Sequence, residues 1–510
     1  MLVHLSLLIW MIRLVHENRS ISKKLLFRFL TFWRNTMEPT RLRANCLSFS
    51  ELLAQAIALI SPTMTAALII PVMFSNTANF SWLAYALGTV MLLFVALNLN
   101  QFAKRTAGVG SMYAYVCRGL GLTAGGIAGW SLIWAYSGIA MAGVTGFAVF
   151  GAKLLADVGI DVSPIVLFAV CVATAGYCAW KNVQLSAMVM LLLEGLSMLL
   201  ILGLCMVVLA QHHFALDTDQ FQFANASFSN MGLGVVVAIF SLVGFECATA
   251  FGEEAKNPLH SIPKAVIWSL LISGIFFVFV TYAMVYGVKG YATPLDKIDA
   301  PLNVLAEIVH LKFLQIPLSL AALLSFFSLC MSCINAGSRV VFAMSQHGLF
   351  HSHVAKAHAK NETPHVAVGI MALGAFLVPT LLVLAHQAPL DIFNYVGTLA
   401  AFGFLVPYFL ITIAAPVYLK HLNQLRLRDK LVCVAALALL LLPAVGSVYP
   451  VPDAPVKYFP YLFLLYIVLG ALWIASFYRR VPTASGRVKQ ALVSNHELYQ
   501  SVMPATIERV

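Results

Sequence analysis

The stretch Ala58-Leu-Ile-Ser-Pro-Thr-Met-Thr-Ala-Ala67 is apolar at both ends, with a proline set among hydroxyls at its centre. Pro62 has no N–H and crowds the carbonyl four residues before it. Ser61, Thr63 and Thr65 stand where they can solvate the groups this frees. Away from water such an interruption is tolerated chiefly where the helix faces a cavity or the protein interior. Two readings follow, a simple proline kink or a true break near 60–64. In the second, a short helix restarts around Met64 and its free N–H groups suit an anion. Phe240-Ser-Leu-Val-Gly-Phe-Glu246 offers a matching interruption, with Gly244 permitting unusual backbone angles and Glu246 placing a carboxylate in an apolar run. Paired breaks point to inverted repeats with a site built from the broken ends.

The surrounding chain fits that reading. Of 510 residues, 61% are hydrophobic and 10% charged, against about a quarter charged in soluble domains; this composition specifies a membrane protein. About 20 apolar residues cross the hydrocarbon core. Apolar spans fall near 53–74, 81–102, 124–153, 163–180, 185–210, 231–252, 264–287, 317–345, 365–385, 391–419, 431–449 and 459–478. The expected fold is therefore all-α, with 12 transmembrane helices: a basic segment 1–50, a five-helix repeat 51–210, a second repeat 231–419, helices 11 and 12 in 431–478, and a tail 479–510. With the N-terminus cytoplasmic, 26 of the 31 Lys and Arg fall on that side and only Lys153, Lys289, Lys297, Lys312 and Lys457 on the other. Basic residues favour cytoplasmic loops, so both ends are expected inside. The net charge of +11 reads as topology and not as a nucleic-acid surface. Residues 1–12 lack the leading charge of a secretory signal; residues 1–45 read as a basic tail, an interfacial helix, or sequence ahead of a start at Met37.

No metal or cofactor is called for. Cys330-Met-Ser-Cys333 has metal-like spacing but lies in an apolar run without a second ligand pair, and the nine cysteines read as small core residues. Histidines 347, 351, 353, 358 and 365 read as a solvated, partly basic loop. A membrane enzyme would need a catalytic signature such as His-Glu-x-x-His, and a channel would need charge rings or a filter sequence; neither occurs in the sequence.

Three further segments carry a family resemblance. They are Arg105-Thr-Ala-Gly-Val-Gly-Ser-Met-Tyr-Ala-Tyr115, running on to Gly121; Glu253-Glu-Ala-Lys-Asn-Pro-Leu-His-Ser-Ile-Pro-Lys-Ala265; and Asn335-Ala-Gly-Ser-Arg-Val-Val-Phe-Ala-Met-Ser-Gln-His-Gly-Leu349. The first reads as a glycine-rich turn leading into an interfacial helix anchored by Tyr113 and Tyr115, the second as a loop whose charges can pair. In this order they resemble the amino acid–polyamine–organocation transporter superfamily over about residues 50–420. Val109, His351 and Leu242 depart from the usual pattern. The resemblance implies a LeuT-like 5+5 inverted repeat plus two extra helices, alternating access, and an amino acid as substrate. It also implies a substrate carboxylate on the N–H groups of Met64, Thr65 and Ala66 and an ammonium group on the carbonyls of Phe240, Ser241 and Val243. Opposite partial charges at helix ends suit a zwitterion. Phe240 reads as an aromatic gate or as core packing; Tyr136, Ser137, Asn394 and Tyr395 read as pocket lining or as packing. The absence of a committed countercharge suits a neutral side chain, with a polyamine or organic cation, or an exchange reaction, as the alternatives.

Two carboxylates lie within spans, Glu194 and Glu246. Desolvation disfavours the charged form of a carboxylate, which makes both candidate proton carriers. Glu246 has the stronger claim, because the family resemblance implies a coupling glutamate one turn beyond the second break. Ser197 stands where some similar transporters carry a lysine. A sodium ion needs oxygen ligands, which Ser328 and Ser332 in span eight can supply beside the first break. H+ is expected slightly ahead of Na+, and the short loops suggest a bacterial inner membrane.

Overall fold

A computed structural model describes residues 41–222, 228–298, 300–449 and 454–480; most of the N-terminal segment and of the C-terminal tail lies outside them. Among the described residues the chain is helical, with two isolated β-bridges, Leu47 to Ala255 and Val109 to Phe251. Eleven helical stretches among the described residues are long and apolar enough to cross a membrane, and the first, Phe49–Ala103, runs for 55 residues. That is more than twice what one crossing needs, and it turns at Ala78–Phe80, where Ala78 has φ +47°. The sequence reading places the end of its first span and the start of its second there. Large side chains such as Leu192, Leu196 and Ile275 face outward, as a lipid-facing surface requires. The chain is a multi-pass membrane protein.

Helix α1 (Phe49–Ile60) opens on a reciprocal cap, in which the Ser48 N–H donates to the Glu51 carboxylate at 2.6 Å. It stops at Ser61, which is left-handed at φ +52°. Helix α2 (Pro62–Met64) restarts with proline at its first position, where the missing N–H costs nothing. It widens into a π-helical turn, Thr65–Ile69, and resumes as α3 (Ile70–Thr77). Pro71 explains the widening, since it cannot donate to the carbonyl of Ala67. Helices α4 (Ser81–Ala103), α5 (Met112–Leu120), α6 (Leu122–Ala156), α7 (Pro164–Lys181) and α8 (Val183–Gln211) follow. Helix α9 (Phe228–Leu242) ends at the second break, Gly244 turns at φ +102°, and a 3₁₀ turn, Phe245–Ala250, carries Glu246. Then come α10 (Pro258–Gly287), α11 (Pro301–Ile308), α12 (Gln315–Gln346), α13 (His365–Leu384), α14 (Pro389–His421), α15 (Leu427–Gly446) and α16 (Phe459–Arg480).

The core sits where α6 lies along α12 and α14, the two most extensive helix pairings. Small residues let these backbones approach, as dispersion-driven packing in lipid requires. The two breaks touch: a Cβ at Gly244 would lie 2.0 Å from Leu59 Cδ2, so only glycine allows the second break to cross the first helix.

The three motif segments converge at one end of the bundle. Val109 bridges to Phe251, and a Cβ at Gly252 would meet the Gly108 carbonyl oxygen at 2.2 Å. Arg339 forms a fully buried two-pronged pair with Glu254, Nε to Oε2 at 2.6 Å and Nη2 to Oε1 at 2.8 Å. The loop charge therefore pairs with α12 and not within its own loop. The carbonyl of Glu254 accepts the N–H groups of Cys46 and Leu47, both at 2.8 Å, and straps the segment before α1 across this end.

Tyr113 and Tyr115 are not interfacial anchors. Both are buried, Tyr113 donating to or accepting from His347 Nδ1 at 2.6 Å and Tyr115 stacked on Phe102. His347 accordingly is not part of a solvated loop, and burial, aided by the Arg118 charge, pushes its pKa down to about 4.

Candidate functional site

Between the two breaks lies a cavity of about 200 Å³. Its wall is mainly apolar: Met64, Ile139, Phe240, Val243, Leu329 and Phe393, with Ser241, Asn394 and Thr398 as polar lining. Among the described residues no lysine, arginine, aspartate or glutamate lines it. The volume falls below the ~300–1,000 Å³ of drug-sized sites and suits a ligand of a few heavy atoms. Any charge on that ligand must be met by backbone at the helix ends.

The first break supplies such backbone, but not as the sequence alone suggests. The Thr65 N–H bonds to the Ser61 carbonyl at 3.1 Å and so closes the first turn of the restarted helix. The Thr63 N–H is held instead by Glu194 of α8, donating to Oε1 at 3.1 Å. Met64 lines the cavity and Ala66 is buried in the π turn. The Ser61 hydroxyl pairs with Ser325 of α12 at 2.8 Å. The hydroxyls of Thr63 and Thr65 are buried without a hydrogen-bond partner, and so is Oε2 of Glu194.

Glu246 at the second break is satisfied on both oxygens. Tyr136 of α6 donates to Oε1 at 3.1 Å, while Tyr408 of α14 at 2.7 Å and the Gly244 N–H at 3.1 Å donate to Oε2. Its carboxylate thus holds the turn it sits in and ties that turn to two helices. Each break carries one glutamate on a freed N–H, one fully partnered and one with a bare oxygen.

Of the side-chain candidates, Phe240, Ser241, Val243 and Asn394 line the cavity. Tyr136 does not, being directed to Glu246; the Ser137 hydroxyl meets Met371 Sδ at 3.7 Å, and Tyr395 packs edge-on against Phe459. Ser332 donates to the Gln55 carbonyl at 2.7 Å, and the Ser328 hydroxyl is buried with no partner. Ser197 bonds back to Leu193 within its own helix, which leaves Glu194 as the α8 side chain that reaches the first break.

Sequence reading missed Ser325, Tyr408 and the apolar wall from α6, α12 and α14. Tyr408 carried a usable signal, a hydroxyl in an apolar span directly after Pro407. Ile139, Leu329 and Phe393 carried none, since nothing local separates them from other core residues.

The profile described as Amino acid permease matches residues 51–480. A branched-chain amino acid permease of Bacillus subtilis is 26% identical over 340 residues, 63% of this chain and 70% of the relative. A low-affinity putrescine importer of Escherichia coli K12 is 25% identical over 299 residues, 57% and 65% respectively. Cationic amino acid transporter 4 of Mus musculus is 25% identical over 349 residues, 63% and 52%.

Proposed function

The chain belongs to the amino acid permease family and transports amino acids, and we propose that it carries small zwitterions with apolar side chains, driven by protons. The observation that carries the substrate class is the uncharged, mainly apolar cavity between the two breaks. A branched or similarly compact side chain faces Met64, Ile139, Leu329 and Phe393, with Phe240 closing over it. The ammonium group meets the carbonyls of Phe240, Ser241 and Val243 beside Gly244. The carboxylate meets the restarted helix at Met64, with Ser61, Thr63, Thr65 and Ala66 shaping that end. Repeats 51–210 and 231–419 rock about this site. Both chain ends lie in the cytoplasm of a bacterial cell, and the protein is a carrier and not an enzyme.

We assign the coupling proton to Glu194 ahead of Glu246. A buried carboxylate oxygen with no donor is costly as an anion, and binding a proton relieves it. Glu246 has three donors and no such deficit. A proton on Glu194 would also weaken its hold on the Thr63 N–H, freeing a donor at the helix end where the substrate carboxylate arrives. Proton and substrate would then load together.

The test is uptake by the purified protein in proteoliposomes, comparing leucine, arginine and putrescine under a proton gradient, a sodium gradient or neither. The expected result is leucine uptake driven by protons, with Glu194→Gln keeping leucine counterflow but losing the proton drive. Uptake of putrescine alone would overturn the substrate assignment. Sodium-driven uptake abolished by Ser328→Ala would move coupling to the α12 hydroxyls, and proton drive that survives Glu194→Gln but not Glu246→Gln would move it to the second break.

A further inference from the structure

A second cavity, lined by α7 and α13 and by no residue of the helix breaks, opens on their outer face with a volume of about 560 Å³. Its wall is a helical stripe on each side. Ala169, Ala173 and Gly176 of α7 and Gly369 and Ala372 of α13 form a floor of small residues, with Trp180 at one end. The helices run antiparallel here, since the Trp180 carbonyl accepts from Thr363 and Asn361 just ahead of α13. From Ala169 to Trp180 is eleven residues of helix, about 16 Å at 1.5 Å per residue. That is close to half of the ~30 Å hydrocarbon core, so the groove has the depth of one leaflet.

The end at Trp180 differs in chemistry from the rest. Tyr177 and Trp180 form an aromatic pair there, of the kind enriched at headgroup level. Lys181 is exposed and sits over the Tyr177 ring at 5.3 Å. Lys360 is exposed beside Asn361, which is bonded to Trp180, and the Arg43 backbone N–H is bonded to the Glu362 carbonyl at 3.2 Å. His358 packs edge-on to Trp180 and to His365. Among the described residues, the chain segments that meet at this mouth carry Lys181, Lys360 and Arg43 as cations and Glu362 as a carboxylate.

We propose that this groove is a binding site for one anionic phospholipid. An acyl chain lies along the small-residue floor between α7 and α13, and the phosphate meets Lys181 and its basic neighbours. An apolar trough one leaflet deep, ending in an interfacial aromatic pair and an excess of cations, matches one lipid molecule in both shape and charge order. The inference is independent of the substrate and coupling assignments, because the groove and the cavity between the breaks share no lining residue.

The experiment offers the delipidated full chain in detergent either dioleoyl phosphatidylglycerol or dioleoyl phosphatidylcholine, with adducts counted by native mass spectrometry. Wild type is expected to keep one phosphatidylglycerol at lipid levels where phosphatidylcholine is lost, a preference of at least tenfold. Gly369→Trp points into open space and should abolish retention of both lipids; Lys181→Glu should remove the preference and leave the fold unchanged. If Gly369→Trp fails to fold, Ala173→Leu serves as the second filling variant. Equal retention of the two lipids, or retention unchanged in a folded filling variant, would overturn the proposal. A dimer that disappears on filling the groove would assign it to a second copy of the chain instead.

Discussion

Replacing Glu254 with glutamine leaves the Arg339 guanidinium buried without a counter-ion and turns one of its two acceptors into a facing NH2 donor, so that one amide oxygen remains beside the Asn335 carbonyl at 2.8 Å, the Ser338 hydroxyl at 3.4 Å and the face of Phe251. Removing one partner of a buried pair costs about 3–5 kcal/mol. The pair joins α12 to the loop that straps the segment before α1, so the cost falls on the closed arrangement of that end. At ~1.4 kcal/mol per decade, the closed-to-open ratio should fall by about two to three and a half decades. Cys46 reports this directly. It is 6% exposed beneath the strap, and burial together with the Glu254 charge raises its thiol to about 11, so the closed form is both shielded and unreactive. Labelling with a water-soluble maleimide, located by peptide mass spectrometry, then follows the open fraction. Cys46 in Glu254→Gln should react at least a hundredfold faster than in wild type. Glu254→Met with Arg339→Met should return the rate to within about tenfold of wild type, since apolar replacement of a whole buried pair is often neutral. A folded Glu254→Gln protein with an unchanged Cys46 rate would refute the assignment of the pair to closure.

Burial and the neighbouring Glu254 raise Glu253 from 4.5 to about 7, against the lowering pull of Arg41. The folded form therefore keeps a proton on Glu253 that the unfolded chain releases, and the stability this residue contributes should decline as pH rises from about 4.5 to about 7 and level off above; the difference between the melting temperatures of wild type and Glu253→Gln across that window checks this, because His347, held neutral in the fold down to about pH 4, adds the same opposing slope to both proteins. Gly244→Ala meets both the +102° φ and the Leu59 side chain. Its cost should be about 2–5 kcal/mol in thermal unfolding, with Leu59→Ala restoring the packing part and not the backbone part; full rescue would show that the left-handed backbone there carries no strain. Tyr408→Phe removes the 2.7 Å donor to Glu246 and should destabilise by about 1–3 kcal/mol, more than Tyr136→Phe, whose bond is 3.1 Å. Equal melting points for the two variants would contradict that order.

The helices were legible in the sequence because each property that fixes them is local. Apolar length sets the spans, and Pro62 and Gly244 announce the breaks through a missing N–H and a missing Cβ. The two glutamates were legible for the same reason, as charges in apolar runs. Contacts between distant segments were not. Nothing near Tyr136 says that its hydroxyl meets Glu246, and its place in an apolar span suited pocket lining equally well. Tyr113 followed the pattern of an interfacial anchor, yet α5 turns inward because Val109 and Gly110 are pinned against Phe251 and Ala343. The Thr65 N–H looked free because counting donors after a proline ignores the cap; once Ser61 turns left-handed, its carbonyl takes that donor.

The two breaks use the same element differently, and the difference bears on mechanism. Both free a backbone N–H and both place a glutamate on it. At Gly244 the glutamate belongs to the turn itself and has two tyrosines from separate helices, an arrangement that holds a carboxylate in one place. At Thr63 the glutamate comes from another helix, takes one backbone N–H and has its second oxygen among the buried hydroxyls of Thr63 and Ser325, which can turn toward it or away. A group that must exchange its proton and release its partner in each cycle needs weak, replaceable contacts, whereas a group that shapes a binding surface needs strong, fixed ones. These contacts are what supports the proposal that Glu194 carries the coupling proton while Glu246 shapes the site.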